Sequence, residues 1–389
     1  MLTVINSQQE LEEFCANFLD DEPEFACIDT EFIRQTTYWP KLALIQIASP
    51  FRSCIIDPVG RNLSLEPFLR ILRHPGITKV LHSGRQDLEI FLSLFQELPF
   101  PVFDTQIAAA FLGLGSGVGY DKLVNHFLNI SIDKTSQHTN WLKRPLSKAQ
   151  LNYAMDDVMH LRVIYPLICE QLQQKGRMDW VQDSFTALMS KEMYLIDIDK
   201  AWLKLKHQIR KWEALSILRD LCAWREEKAR HYNLSRATFI EDKLLIDLCQ
   251  VSFLSFESVL EFIKKYRHSI VSQNLTKEFY LRYSQAHRLT ENKEKLGEIR
   301  QREMKQSLQK IYPKSQPDAV KERLQKLKDI INALANELEI PAHFIADKSD
   351  MESFSKEPSD DHKLLQGWKR NLLKDKLKTF LDFSEAQSH

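Results

Sequence analysis

The first half of the chain alternates between short apolar stretches and amphipathic stretches. Three apolar, β-compatible stretches come first, and their close spacing predicts an antiparallel meander. They lie at residues 25–29, 42–48 and 54–57. The pattern then predicts helices at residues 65–73, 86–95 and from Gln106, and strands at residues 79–82 and 102–104. Such alternation adds strands through helical crossovers, so we expect an α/β fold with a mixed sheet and flanking helices.

From about Tyr194 onward the pattern becomes helical throughout. Leu215, Leu218 and Leu221 recur at the spacing of one face of an amphipathic helix. Residues 218–242 can be laid over residues 327–347 with one gap, which predicts two related all-α modules. The pattern therefore divides the chain into an α/β domain at residues 1–195 and two helical domains, at residues 205–290 and 291–385.

Composition is that of a soluble protein with several domains. The chain has 389 residues, of which 43% are hydrophobic and 27% charged, so it can bury two or three ordinary cores. It contains no apolar run of about 18 residues, and its N-terminus has acids where a signal peptide has basic residues. We therefore expect a cytoplasmic protein that does not contact a membrane, and no obligate protein partner is implied.

The six cysteines are scattered and form no CxxC pair, which favours reduced thiols over a disulfide framework or a zinc knuckle. Charge is distributed unevenly although the net charge is zero. Residues 1–190 hold 16 Lys and Arg against 22 Asp and Glu, whereas the remainder holds 37 against 31. An acidic half beside a basic half is compatible with a carboxylate site served by a domain that binds a polyanion.

A glycine-rich stretch at residues 113–119, GLGSGVG, invites comparison with a phosphate-binding loop. It lacks the GxxxxGK[ST] spacing of such a loop and follows a predicted helix instead of a strand. We therefore interpret it as a flexible connection.

Asp29 and Glu31 lie at the end of the first predicted strand. Because they are two residues apart, both side chains project from the same face of the sheet. Paired carboxylates are oxygen ligands of the kind that Mg²⁺ and Mn²⁺ prefer. The DxE pattern thus predicts a hard-cation site, although ordinary surface acids produce the same short pattern often.

Three more residues join this site by position. Asp87 falls in the first turns of a predicted helix, where favourable interaction with the helix dipole alone would explain an acid. Tyr153 and Asp157 are four residues apart, which places a phenol and a carboxylate on one helical face, while Asp156 points elsewhere. Only the combination with Asp29 and Glu31 makes a functional interpretation preferable.

Three segments together resemble the exonuclease motifs of the DEDD superfamily, in order and in approximate spacing. They are FACIDTEFIRQTTYWPKLALIQIAS, KVLHSGRQDLEIF and TNWLKRPLSKAQLNYAMDDVMHL. They are most similar to the tyrosine-bearing subgroup, which includes the ribonuclease D family. The helical repeats resemble the HRDC domain through LCAWREEKAR and TFIED. One departure is Asn140, which stands before Trp141 where the family usually has an acid, and this puts local hydrogen bonding in doubt more than catalysis.

The resemblance implies a ribonuclease H-like 3′-5′ exonuclease domain followed by two HRDC-like domains. It implies that Asp29, Glu31, Asp87 and Asp157 bind two divalent cations, Mg²⁺ or Mn²⁺, about 4 Å apart around the scissile phosphate. Tyr153 would position the attacking water, because a phenol with a pKa of about 10 is a poor base. The products would be nucleoside 5′-monophosphates. The implied partner is RNA with a free 3′ end, especially tRNA precursors.

Other residues are weaker candidates for substrate contact. Phe32 and Gln46 border the first two predicted strands and are candidates to line the cleft where a 3′-terminal base stacks. His82 ends a predicted strand near Asp87 and is a candidate to orient substrate or a neighbouring carboxylate. Asp104 precedes a predicted helix, and helix capping is its simplest role. Core packing explains Phe32 and His82 as well as substrate contact does.

Three other functions stay open at this point. A DNA 3′-5′ exonuclease would use the same carboxylates, and the choice depends on whether the cleft accepts a 2′-hydroxyl. A non-catalytic RNA-binding scaffold with a decayed nuclease fold is disfavoured by the presence of all four carboxylates and Tyr153. A hydrolase of small phosphate esters would leave the helical domains without a role.

Overall fold

The computed structural model describes residues 3–137, 139–195, 197–251, 255–266, 273–291, 295–312 and 317–385. Its strands form one six-stranded sheet with the order β1-β4-β3-β2-β5-β6. The strands are β1 (Val4–Ile5), β2 (Phe25–Ile33), β3 (Lys41–Ala48), β4 (Ser53–Ile56), β5 (Thr78–Leu81) and β6 (Val102–Asp104). β3 and β4 are antiparallel, whereas β5 pairs in parallel with both β2 and β6. The sheet is therefore mixed, and the predicted α/β fold class is confirmed.

Two features of the sheet differ from the sequence prediction. β1 has only two residues, paired in parallel with β4, and its pattern is too short to be recognised in the sequence. β2 continues to Ile33, so Asp29 and Glu31 lie inside the strand and not at its end. The prediction ended the strand at Asp29 because charged residues are rare in buried strands. Both carboxylates still project from one face, since they remain two residues apart.

Helices cover the sheet. They are α1 (Gln8–Asp20), α2 (Glu66–Arg73), α3 (Arg85–Phe95), α4 (Thr105–Phe111), α5 (Tyr120–Leu128), α6 (Lys148–Gln174) and α7 (Met178–Leu188). Three of them, α1, α4 and α6, begin at a residue whose side chain caps the helix. Ser147 begins α6 with a capping box that includes the Gln150 side chain, which satisfies two backbone N–H groups. α6 contains 27 residues and packs against β2, β4 and β5. It carries Tyr153 and Asp157 across the sheet face that holds Asp29.

The chain forms two compact units. The first contains residues 1–33, 42–190 and 316–389, and the second contains residues 34–41 and 191–315. Within its described residues, the second unit has short 3-10 helices at Lys191–Met193 and Ile198–Lys204 and six α-helices. These are α8 (Trp212–His231), α9 (Arg236–Phe239), α10 (Asp242–Leu248), α11 (Phe256–Ile263), α12 (Gln273–Glu291) and α13 (Lys295–Ile311). The division of the chain at residues 195, 205, 290 and 291 stays a prediction.

The second unit contains a buried ion network beside its hydrophobic core. The carboxylate of Glu226 is 1% exposed and accepts hydrogen bonds from Arg236 at 2.6 and 2.9 Å. The Tyr38 hydroxyl donates to Glu226, and Arg230 Nε donates to the same hydroxyl at 2.9 Å. Two guanidinium groups and a phenol thus satisfy a carboxylate that would otherwise be costly to bury. Residues 34–41, which follow β2 in the sequence, belong to this unit through Tyr38.

The last helices share a core with the sheet. They are α14 (Asp318–Leu338), α15 (Ala342–Ile345), α16 (Lys348–Lys356), α17 (Gly367–Leu373) and α18 (Lys378–Glu385). The ring of Phe344 packs 4.8 Å from that of Phe111, and Trp368 stacks 4.6 Å from Trp180. Arg177 donates to the backbone oxygens of both Phe111 and Leu338. This helical segment is therefore part of the same folded unit as the six-stranded sheet. None of the described helices is long and apolar enough to span a membrane.

Candidate active site

Three predicted carboxylates meet where α6 crosses β2. Asp29 and Glu31 of β2 and Asp157 of α6 each offer an oxygen, and these oxygens lie within 4.8 Å of one another. All three residues are partly exposed, so the cluster is reachable from solvent. Among the described residues, no ion pair joins a Lys or Arg to any of these three side chains, and oxygen is the only ligand atom that they present. Such a donor set fits a hard divalent cation.

Asp87 lies beside this cluster. It lies in the first turn of α3, is only 6% exposed, and accepts a hydrogen bond from the Thr30 hydroxyl. Thr30 separates Asp29 from Glu31 on β2, so this bond ties the helix that carries Asp87 to the strand that carries the other two acids. Asp87 is not part of the group whose oxygens lie within 4.8 Å. The structure thus brings three of the four predicted ligands together and places the fourth beside them.

Asp104 fixes the beginning of α3 as well as that of α4. Its carboxylate, 2% exposed, accepts hydrogen bonds from the Gln106 N–H at 2.8 Å and the Gly84 N–H at 2.9 Å. The first bond caps α4, as predicted, and the second orients the turn before α3. A Cβ on Gly84 would lie 2.6 Å from the Leu81 side chain, so only glycine fits this turn without displacement. Asp104 therefore supports Asp87 and is not one of the clustered acids.

Burial and mutual repulsion keep the clustered acids partly protonated when no cation is bound. Burial, together with Asp157 and Asp87, raises the pKa of Glu31 to about 9. Burial, together with Asp156 and Asp87, raises the pKa of Asp157 to about 7. The pKa of Asp87 also rises to about 7 through burial, and that of Asp29 rises well above its usual value. Bound cations would remove this repulsion, which is the arrangement expected at a metal site.

We expect the metal-free protein to lose stability as the pH rises. The raised pKa values mean that folding takes up protons at these sites. The protonated carboxyl groups contribute fully to the free energy of unfolding below the ordinary pKa range of carboxyl groups. That contribution is lost as the pH rises through about 7 for Asp157 and about 9 for Glu31. Thermal unfolding in EDTA should therefore give a lower Tm at pH 8.5 than at pH 5.5, and Mn²⁺ should restore stability at pH 8.5. A Tm that rises with pH in EDTA and does not change when Mn²⁺ is added would contradict the assignment of a metal site here.

Tyr153 lies one turn before Asp157 on α6, as predicted. Its ring packs 6.1 Å from that of Trp141, and burial together with Asp157, Glu31 and Asp29 raises the pKa of the phenol. The hydroxyl therefore keeps its proton at neutral pH in the metal-free protein. A protonated phenol beside three carboxylates can orient a water molecule and is a poor general base.

The three weaker candidates differ in what they contact. Phe32 is partly exposed on β2 beside Glu31, so its predicted role in stacking a base remains a prediction. Gln46 is fully buried and neither side-chain polar atom has a hydrogen-bond partner, so it does not contact a bound base directly in this conformation. His82 places one ring nitrogen 3.0 Å from the Thr105 hydroxyl and the other 3.1 Å from the Val118 carbonyl. Neither nitrogen is left for substrate.

Arg144 has a structural role at the site that could not be predicted from the sequence. Its guanidinium forms a bidentate ion pair with Asp57 at 2.5 and 2.7 Å and donates to the Trp141 carbonyl at 2.6 Å. The ion pair holds the segment before α6 against the sheet and so fixes Trp141 beside Tyr153. The sequence gives no signal for it, because Asp57 and Arg144 are 87 residues apart.

Comparison with known proteins gives consistent matches. A family model described as 3′-5′ exonuclease matches residues 2–173. Ribonuclease D of Bartonella henselae is 40% identical over 248 residues, which span 64% of this chain and 61% of that enzyme. Ribonuclease D of Zymomonas mobilis is 35% identical over 350 residues, which span 90% of this chain and 86% of that enzyme.

The fold is shared with a solved structure over nearly the whole chain. The crystal structure of Escherichia coli RNase D, described as an exoribonuclease involved in structured RNA processing, superposes with a TM-score of 0.78 at 25% identity. The match covers 98% of this chain and 99% of that one. Similarity therefore extends beyond the exonuclease domain into both helical segments.

Proposed function

Because this chain belongs to the ribonuclease D family, we propose that it is a metal-dependent 3′-5′ exoribonuclease that releases nucleoside 5′-monophosphates from RNA. The observation that carries the proposal is the meeting of Asp29, Glu31 and Asp157 at one solvent-reachable point. Asp87 stands beside them and Tyr153 one helical turn away. Clustered carboxylates are suited to hold cations that activate a bound water molecule, so water is the expected nucleophile.

The four carboxylates fit two divalent cations, Mg²⁺ or Mn²⁺. Two such cations would supply Lewis acidity that activates the attacking water and stabilises the charge on the leaving 3′-oxygen. Asp29 and Asp157, on facing elements, are suited to hold both. Glu31 and Asp87 complete the oxygen ligands, and the Thr30 hydroxyl fixes the carboxylate of Asp87. Tyr153 donates its hydroxyl proton as a hydrogen bond and thereby orients the attacking water towards phosphorus.

We propose RNA with an accessible 3′ end as the substrate class and tRNA precursors with trailing nucleotides as its main members. The description of the Escherichia coli relative, structured RNA processing, supports this choice. DNA is the second candidate, because the matching family model is described as a 3′-5′ exonuclease without naming the nucleic acid. A cleft that binds the 2′-hydroxyl would favour RNA over DNA.

Competition between matched substrates tests this substrate class. A 3′-extended tRNA and a single-stranded DNA with the same 3′-terminal sequence are mixed with the enzyme and Mn²⁺, and kcat/KM is measured for each. We expect RNA to be preferred at least tenfold, which corresponds to about 1.4 kcal/mol of differential binding in the transition state. Equal rates or a preference for DNA would leave the carboxylate site intact but overturn the substrate.

Tyr153→Phe is expected to lower kcat about a hundredfold, because the variant keeps the ring beside Trp141 but loses the hydrogen bond to water. Affinity for Mn²⁺ should be unchanged, since the hydroxyl is not proposed as a ligand. Tyr165→Phe is the matched control, because it removes another partly buried hydroxyl from the same helix, away from the cluster. A Tyr153→Phe enzyme with wild-type kcat would contradict the proposed role.

A further inference from the structure

One partly buried hydroxyl contacts the backbone at a proposed metal ligand. Tyr120 begins α5, directly after the glycine-rich stretch at residues 113–119. Its hydroxyl lies 2.6 Å from the carbonyl oxygen of Asp157 and 2.9 Å from that of Asp156. It has one proton to donate, and the shorter distance favours the Asp157 carbonyl. The Tyr120 side chain thus reaches α6 at the residue whose carboxylate joins the cluster.

The end of the glycine-rich stretch is itself fastened. The carbonyl of Val118 accepts hydrogen bonds from Gln106 Nε2 at 3.0 Å and lies 3.1 Å from His82 Nε2. The ring of His82 packs 5.4 Å from the ring of Tyr120. His82 directly follows β5 and lies two residues before Gly84, whose N–H donates to Asp104. A continuous set of contacts therefore runs from the beginning of α3, which carries Asp87, to the middle of α6, which carries Asp157.

Pro166 lies inside α6 and has no N–H to donate to the carbonyl of Arg162, so the hydrogen-bond ladder is interrupted at Arg162, beyond Asp157. A carboxylate ligand is useful only if its oxygen stays within a few tenths of an ångström of the position that the cation requires. A hydrogen bond to the backbone of the ligand residue restrains that position directly.

We propose that Tyr120 is a positioning residue for the metal site, whose hydroxyl holds the α6 backbone at Asp157 so that this carboxylate meets Asp29 and Glu31. The inference rests on the proposed function, because it assumes that the cluster binds cations. Burial raises the pKa of Tyr120, and the neighbouring Asp157 and Asp29 add to the shift, so the hydroxyl remains a donor at neutral and mildly alkaline pH. This assigns a role to the glycine-rich stretch as well. It delivers Tyr120 to α6.

The test is calorimetric titration of the full-length protein with Mn²⁺ in the absence of RNA. Loss of an outer hydrogen bond that orients a ligand typically costs a metal site about 10- to 100-fold in affinity. Tyr120→Phe should therefore bind Mn²⁺ about tenfold more weakly. The Mn²⁺ concentration for half-maximal trimming should rise by the same factor. Tyr165→Phe, which removes a hydroxyl from α6 away from the cluster, should match wild type in both measurements.

Two comparisons keep the inference separate from the proposed function. If Asp29→Asn abolishes Mn²⁺ binding while Tyr120→Phe stays within about twofold of wild type, the positioning role is overturned and the metal site stands. If Asp29→Asn binds Mn²⁺ as well as wild type does, the metal site fails and the inference fails with it.

Substituted phenylalanines test the donor even if Tyr120→Phe does not fold. 4-Aminophenylalanine at position 120 keeps the ring and places an N–H donor near the Asp157 carbonyl, so Mn²⁺ affinity should return close to wild type. 4-Fluorophenylalanine keeps the shape but cannot donate, so it should reproduce the loss. Equal affinities for these two variants would overturn the proposal.

Discussion

Asp29→Asn is expected to lower the rate of RNA trimming about a thousandfold, with little change in the fold. The substitution keeps the size of the side chain but removes the negative charge from the carboxylate that faces both Glu31 and Asp157. Cations held at such a site contribute several kcal/mol of charge stabilisation in the transition state, and about 4 kcal/mol corresponds to a thousandfold in rate. Release of mononucleotides at saturating RNA and Mn²⁺ measures the effect.

Asp156→Asn is the matched control for this prediction. Asp156 neighbours Asp157 on α6, but its side chain is exposed and lies outside the cluster. The control should trim RNA within about twofold of wild type, as surface substitutions usually do. An Asp29→Asn enzyme that keeps a tenth or more of the wild-type rate would show that the cluster is not where the chemistry occurs.

Deletion of residues 317–389 is expected to unfold the nuclease sheet. The deletion would expose Phe111, which is fully buried, and would remove the Trp368 ring from Trp180. Exposing large side chains costs about 1.5 to 3 kcal/mol each, so exposing Phe111 and Trp180 and losing the hydrogen bond from Arg177 to Leu338 costs about 4 to 7 kcal/mol. That is comparable to the whole stability of a typical domain. Circular dichroism and thermal unfolding of the truncated chain measure the outcome.

A pair of isoleucine substitutions gives a finer test of the shared core. Ile331 of α14 is 1% exposed in the core that includes the sheet, whereas Ile299 of α13 is 48% exposed. Ile331→Ala should lower the free energy of unfolding by about 2 to 5 kcal/mol, and Ile299→Ala by less than about 0.5 kcal/mol. A truncated chain that melts cooperatively near the wild-type temperature would show instead that the nuclease domain folds independently.

The strands and helices of the first half could be predicted because their hydrophobic periods are local. The apolar stretch at residues 42–48 and the amphipathic stretch at residues 86–95 correspond closely to β3 and α3. Tyr153 and Asp157 could be paired for the same reason, since a helix places residues four apart on one face. Local pattern thus predicted that Tyr153 and Asp157 share one face of their helix.

Contacts between distant residues could not be predicted in this way. The placement of Asp87 depends on Thr30, which is 57 residues away in the sequence, and Tyr120 reaches Asp157 from 37 residues away. The prediction that β2 ends at Asp29 was wrong because it judged the acids by the ordinary cost of burying charge. Repulsion within the carboxylate cluster raises the cost of burying these acids further. β2 contains them nevertheless, because the proposed metal site requires them.

The helical half illustrates the same limit. Amphipathic spacing predicted helices after Tyr194, and the all-α character is confirmed. The period of a helix does not say which surface its apolar face will cover, so the packing of Ile331 and Phe344 in the core of the nuclease sheet could not be predicted. For the same reason, the burial of Glu226 and its pairing with Tyr38 and Arg236 could not be predicted from the sequence.

The central claim is that this carboxylate cluster trims RNA from the 3′ end with the help of divalent cations. The most direct measurement follows a 5′-labelled, 3′-extended tRNA during incubation with the protein in Mg²⁺, Mn²⁺ or EDTA, with chromatography of the released nucleotides. We expect a ladder that shortens by single nucleotides in either cation, release of nucleoside 5′-monophosphates, and no reaction in EDTA. Tight binding of the labelled RNA without shortening in either cation, or shortening that EDTA leaves unchanged, would contradict the account.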